Sequence, residues 1–150
     1  MLMPTSITWI IVANAERSRA LEERRRGGPL TELDYWDRRQ TEADRRHAHY
    51  QQAVDVQRFG YGQHVVNPRD FEAQAERRFF ARYANQLSLA GAKGRYERLI
   101  LIATPPVLGL LRGELGRTAQ RCVEKTLACD CVEETPEALR LRVRASRAPH

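Results

Sequence analysis

Lysine is nearly missing from this chain. Of 25 basic residues only Lys93 and Lys125 are lysines, and the remaining 23 are arginine. Cysteine is scarce as well: Cys122, Cys129 and Cys131 are odd in number and clustered late, and Cys129-Asp130-Cys131 is a weak signal by itself. No second cysteine pair or well-placed histidine completes a zinc spacing, so no metal is expected. Cys129 and Cys131 read as surface thiols of a reducing compartment, and Cys122 as a small core residue on a strand. Long apolar runs are absent too. The stretch Ile7–Ala13 is short, has no basic residue before it and is followed at once by Glu16 and Arg17, so neither a signal peptide nor a membrane span fits. A cytoplasmic protein is the expectation. The motifs of common enzymes are missing: there is no G-x-S-x-G elbow, no phosphate loop and no H-E-x-x-H. Glu72 and Glu76 lie one helical turn apart, but with Arg69, Arg77 and Arg78 beside them they read as surface ion pairs rather than an acid–base couple. These absences lean against an enzyme without deciding the matter, and no cofactor is expected.

What is present is an ordinary globular balance with an unusual charge. The chain has 150 residues, 42% hydrophobic and 29% charged, with a net charge of +6 and a pI of about 9.7. That length suits one domain, residues 1–150, with a core that needs neither disulfides nor metals. The planar guanidinium fork suits phosphate, so an arginine excess permits an RNA or ribosome partner. An arginine-rich proteome would produce the same bias, and arginine also solvates helix flanks.

The most legible stretch runs from Asn67 to Leu115. Asn67 suits an N-cap and Pro68 the first helical position. Phe71, Ala75, Phe79, Tyr83 and Leu87 then recur every fourth residue, lining one face of a long helix that Gly91 is expected to stop. Leu99–Ala103 is an unbroken run of strand formers, as in a strand buried on both faces. Thr104-Pro105-Pro106 ends it, and Val107, Leu108, Leu110, Leu111 and Leu115 give a second helix its apolar side.

Before this stretch, Ser6–Asn14 reads as a first strand, and Arg17–Glu23 as a more exposed second one with its charges solvated. Arg24-Arg25-Arg26 leads into the turn signal Gly27-Gly28, and Pro29–Trp36 reads as a third strand. Asp37–Val66 is a polar insertion in which Thr41–Gln57 holds a short helix, with Ala43, His47, Tyr50 and Val54 on one side. His47 and His49 read as exposed polar residues. The insertion ends in Arg58-Phe59-Gly60-Tyr61-Gly62-Gln63-His64. After the second helix, Arg121–Leu127 reads as a last strand. Thr135 caps and Pro136 opens a terminal helix, with Arg147–His150 frayed. The order β-β-β-loop-α-β-α-β-α predicts an α/β (α+β) domain: a mixed sheet of about five strands flanked by helices.

Three segments carry a family likeness: Thr8–Ala13 followed by Arg17 and Arg19, the Gly27-Gly28-Pro29-Leu30 turn, and above all Tyr96–Ala103 continuing through Pro105–Arg112. With them the chain resembles the host-attachment family, whose name labels a role in bacterial attachment to host cells. That family is in turn similar to the middle domain of archaeal and eukaryotic peptide release factors. The resemblance implies a release-factor-like fold and a loop, before the long helix, that in release factors carries Gly-Gly-Gln and promotes attack of water on the peptidyl-tRNA ester. Here Gly62 and Gln63 match the second glycine and the glutamine, Tyr61 replaces the first glycine, and Gly60 stands one place earlier.

Three functions follow as expectations. The first is a non-enzymatic module bound to RNA, tRNA or the ribosome through Arg58, Arg69, Arg77 and Arg78 around the loop Gly60, Tyr61, Gly62 and His64, with Arg24, Arg25 and Arg26 as a further phosphate contact. The second is an interaction protein with a host or cell-surface partner. The third is a peptidyl-tRNA hydrolase acting through Gln63.

Overall fold

The computed structural model describes residues 6–40 and 68–149. Asn67, the expected helix over Thr41–Gln57 with His47 and His49, and the Arg58–His64 stretch lie outside the described residues. Six strands form one mixed sheet: β1 (Thr8–Ala13), β2 (Arg17–Glu23), β3 (Leu30–Glu32), β4 (Arg38–Arg39), β5 (Arg98–Ala103) and β6 (Val123–Ala128). Their order is β3-β2-β1-β5-β6, with β4 also paired to β2. The expected meander is there, since β1–β2 and β2–β3 are antiparallel. β1, β5 and β6 run parallel to one another.

β1 and β5 occupy the middle because their sequences leave them no alternative. Trp9, Ile10, Ile11, Val12, Leu99, Ile100, Leu101 and Ile102 are fully buried, and burying each large side chain stabilises the fold by about 2 kcal/mol. Odd and even positions serve two cores. Trp9, Ile11, Leu99 and Leu101 face α1 (Pro68–Ala92), α2 (Pro105–Glu114) and α3 (Arg117–Cys122). Ile10, Val12, Ile100 and Ile102 face α4 (Pro136–Arg147) and the loop holding Cys131 and Val132.

The expected periodic face of α1 packs as read: Ala75, Phe79, Tyr83 and Leu87 are buried. Its end is different. The helix passes through Gly91 to Ala92, and Gly94, at φ +73°, reverses the chain. Gly94 N–H bonds to Gly91 O (3.0 Å) and Arg95 N–H to Ala90 O (3.0 Å), the paired closure of a left-handed helix cap. Gly91 serves packing: a Cβ there would lie 2.6 Å from the Tyr96 hydroxyl.

Several expectations are corrected. β2 is not an exposed strand: Arg19 and Glu23 are buried by the Cys131–Glu134 loop and α4 on one face, and Ser18 is buried on the other, beside Tyr83 of α1. The third strand ends at Glu32. Asp34–Trp36 coils into a 3-10 turn that brings the Trp36 ring edge-on to Trp9 (5.2 Å) and Tyr83 (5.6 Å), and a straight strand would not deliver that ring to the core. Asp37, Arg38 and Arg39 belong to the sheet region rather than to a polar insertion, since β4 pairs with Arg17 and Ser18. Arg121 and Cys122 are helical, so Cys122 ends α3 instead of lying on a strand. Helix α3 is fastened by Gln120, whose Nε2 donates to Arg112 O (3.0 Å) and Leu115 O (2.8 Å), satisfying carbonyls at the end of α2. Thr135 caps α4 as read, accepting from Ala138 N–H at 3.1 Å. Arg147 is not frayed but locked in ion pairs. Cys129 and Cys131 are joined by a disulfide and are not free thiols.

Candidate functional site

Two polar regions flank the sheet. At the carboxyl ends of β1, β5 and β6, where open α/β sheets commonly place ligands, Asn14 turns the chain by accepting from the N–H groups of Glu16 and Arg17, each at 3.0 Å. Its amide donates to Asp130 at 3.4 Å. Arg17 grips both oxygens of Asp37 (2.9 and 2.7 Å) and reaches Glu133 (3.3 Å). The hydrogen bonds and charge of Arg17 hold the Asp37 carboxyl below its ordinary range. Arg19, next on the same strand face, donates to Val132 O (2.8 Å) and Glu134 O (2.7 Å) and pairs with Glu32. These arginines are committed to holding the 129–134 loop against the sheet. Gln40 donates to Ala15 O through its side-chain amide (2.7 Å) and to Glu16 O through its backbone N–H (2.9 Å).

Metal-capable atoms of Cys129, Cys131 and Glu134 lie within 4.8 Å of one another. The two sulfurs are bonded to each other, however, and Glu134 places both oxygens on Arg142 at 2.7 Å. That donor set is engaged. All four histidines fall outside the described residues.

The second region lies at the opposite edge. The β2–β3 turn closes through Gly28 N–H to Arg25 O (2.7 Å), with Gly27 at φ +79°. Beneath it Glu23 accepts two bonds from Arg147 (2.8 and 2.9 Å) and one from Gly27 N–H (3.1 Å). Arg147 also donates to Glu124 (2.9 Å), which in turn accepts from Arg26 (3.1 Å) and Arg98 (3.3 Å). Burial raises the Glu124 carboxyl, but Arg147 and Arg26 more than offset it and leave the group below its ordinary range. Arg140 pairs with Glu137 and reaches Gly27 O (3.4 Å). Arg26, Gly27, Arg144, Arg147 and Ala148 line a shallow depression of about 260 Å³. Glu23 is spent on Arg147 and Glu124 on Arg147, Arg26 and Arg98, while the Arg24 side chain, paired through its Nε with Glu22, stays 80% exposed, and Arg25 and Arg144 are exposed as well.

The expected basic residues thus fall into separate places. Arg24, Arg25 and Arg26 share the turn with Arg98, Arg140 and Arg144, none of which was singled out from sequence; the i, i+4 spacing of Arg140 and Arg144 on α4 was the available signal. Arg77 and Arg78 are exposed on α1, which covers the other face of the sheet. Arg69 stands in the first turn of α1. Arg58, Gly60, Tyr61, Gly62, Gln63 and His64 lie outside the described residues.

A three-stranded meander followed by α-β-α-α-β-α on one mixed sheet defines a release-factor-like domain. Its backbone is similar to the crystal structure of an archaeal translation termination factor, aRF1, with a TM-score of 0.52 at 12% identity. The match covers 93% of this chain and 38% of that one, so the chain spans well under half the length of that factor. A family model described as "Protein required for attachment to host cells" matches residues 9–143, and the chain belongs to that family. No curated protein matches it. Among the described residues no helix is long and apolar enough to cross a membrane.

Proposed function

We propose that the chain is a non-enzymatic module that associates with RNA, tRNA or the ribosome through the arginine surface of the β2–β3 turn and α4. The observation that carries this reading is the arrangement of charge there. Glu23 and Glu124 are taken up by the buried Arg147 side chain, Arg144 faces outward beside a shallow depression, and Arg24 and Arg25 are exposed on the turn next to it. Guanidinium groups so presented suit phosphate oxygens, and each phosphate neutralised releases counterions. The net charge of +6 and the fold shared with a translation termination factor support it. Arg58, Arg69, Arg77 and Arg78 are proposed as a second contact region. The test is binding of labelled tRNA, and co-sedimentation with ribosomes, as a function of salt. Replacing Arg24, Arg25 and Arg144 together by alanine is expected to weaken binding by at least about tenfold and to flatten its salt dependence. Unchanged affinity and slope in that variant would sink the reading.

The family description favours a second reading, an interaction role in attachment to host cells. Surface labelling of intact cells tests it, and a protein found only inside them would count against it. Hydrolysis of peptidyl-tRNA through Gln63 is the third, and it fails if Gln63→Ala leaves ester cleavage unchanged.

A further inference from the structure

We infer that Cys129 and Cys131 are a reversible dithiol–disulfide centre that exchanges with small or protein disulfides. The two cysteines leave the end of β6 and re-enter the second core, with Cα atoms 5.7 Å apart. Their loop is held independently of the sulfurs: Cys129 N–H bonds to Ala103 O (3.0 Å), Glu134 N–H to Cys131 O (3.0 Å), and Arg19 to Val132 O and Glu134 O. The two cysteine backbones are therefore held in place by bonds other than the disulfide. A bridge across a separation of two residues removes little freedom from the unfolded chain, since the entropy lost grows with the loop closed. Stapling the fold is a poor account of it.

The pair is asymmetric, which sets the sulfur that meets an external disulfide first. Cys131 is 1% exposed among Ile10, Val12 and Leu139, whereas Cys129 is half-buried at the rim. In oxidation, the Cys129 thiolate attacks one sulfur of an external disulfide RS–SR, forming Cys129–S–SR and releasing one RS⁻. The Cys131 thiolate then attacks the Cys129 sulfur, the intramolecular bond forms, and the second RS⁻ leaves. The two cysteine protons end on the two RSH released, and RSSR is the species reduced.

The experiment uses the full chain carrying Cys122→Ala, so that only this pair is read. It is equilibrated in glutathione buffers of graded ratio, acid-quenched, alkylated and weighed. The expected result is no alkyl group at the oxidising end, two at the reducing end, and one reversible transition between them. With oxidised glutathione alone, Cys131→Ser should trap a glutathione adduct on Cys129 at least about tenfold faster than Cys129→Ser traps one on Cys131. Two thiols that stay alkylatable in oxidised glutathione would overturn the inference, as would equal trapping rates. The equilibrium titration decides the matter even if a serine variant fails to fold.

Discussion

At the scale of single residues, the decisive feature is that the Arg19 and Glu23 side chains of β2 and the Arg147 side chain of α4 are buried partners, not surface. Arg147 and Glu23 have side chains 7% and 2% exposed, and their positions are 124 residues apart in sequence. Removing one partner strands the other charge in the protein, which costs more than the pair contributes when intact. Arg147→Ala should therefore destabilise by about 3 kcal/mol in urea unfolding. Adding Glu23→Gln to that variant should recover part of the loss, because an amide needs no counter-charge. A single variant within about 0.5 kcal/mol of the parent would show the pair to be solvated. Arg19 follows the same logic at the other edge. Nothing in the local spelling of Arg17–Glu23 separates a buried arginine from a solvated one, so the strand was legible and its burial was not.

Among whole elements, α1 is the most readable, with an apolar face of period near four and a proline at its start. Its stop lies at Gly94 rather than Gly91 because two glycines compete. Gly94 sits at positive φ with open space around it, so Gly94→Ala should cost about 1 kcal/mol from backbone strain alone. Gly91 is ordinary helix, where alanine is normally better than glycine. Here its Cβ would meet the buried Tyr96 ring, at 2.6 Å from the hydroxyl and 2.9 Å from Cζ, and that hydroxyl is tied to Leu87 O at 2.6 Å. Gly91→Ala should destabilise by about 2 kcal/mol despite its helix propensity. Equal or greater stability of Gly91→Ala by thermal melting would refute the packing role. The 3-10 turn at Asp34–Trp36 was hidden for a related reason, since Trp36 is a good strand former locally and only its contacts with Trp9 and Tyr83 bend the chain.

For the whole molecule, the acid limb of stability has a definite sign. Arginine hydrogen bonds and charge hold the Asp37, Glu134 and Glu137 carboxyls below their ordinary range, and Glu124 is lowered despite its burial. A carboxyl that binds its proton less readily when folded contributes its full stabilisation above the unfolded pKa. That contribution disappears as pH falls through the folded value. Among the described carboxyls Glu76 is shifted the other way, raised by burial, and opposes them. The urea midpoint should accordingly be flat from about pH 6 to pH 8 and fall progressively below about pH 4.5. A midpoint that holds or rises in acid would mean these pairs do not persist in solution.

The order of elements, the central strands β1 and β5 and the buried face of α1 followed from sequence alone, because exclusion of water acts on every side chain where it stands and leaves a short-range period. Tertiary structure alone decided which arginines are consumed and which face outward, and which sulfurs meet the core. Those outcomes depend on residues brought together across more than a hundred positions, as when Arg19 meets Val132 or Arg147 meets Glu23. No local pattern encodes a charge partner that lies so far along the chain.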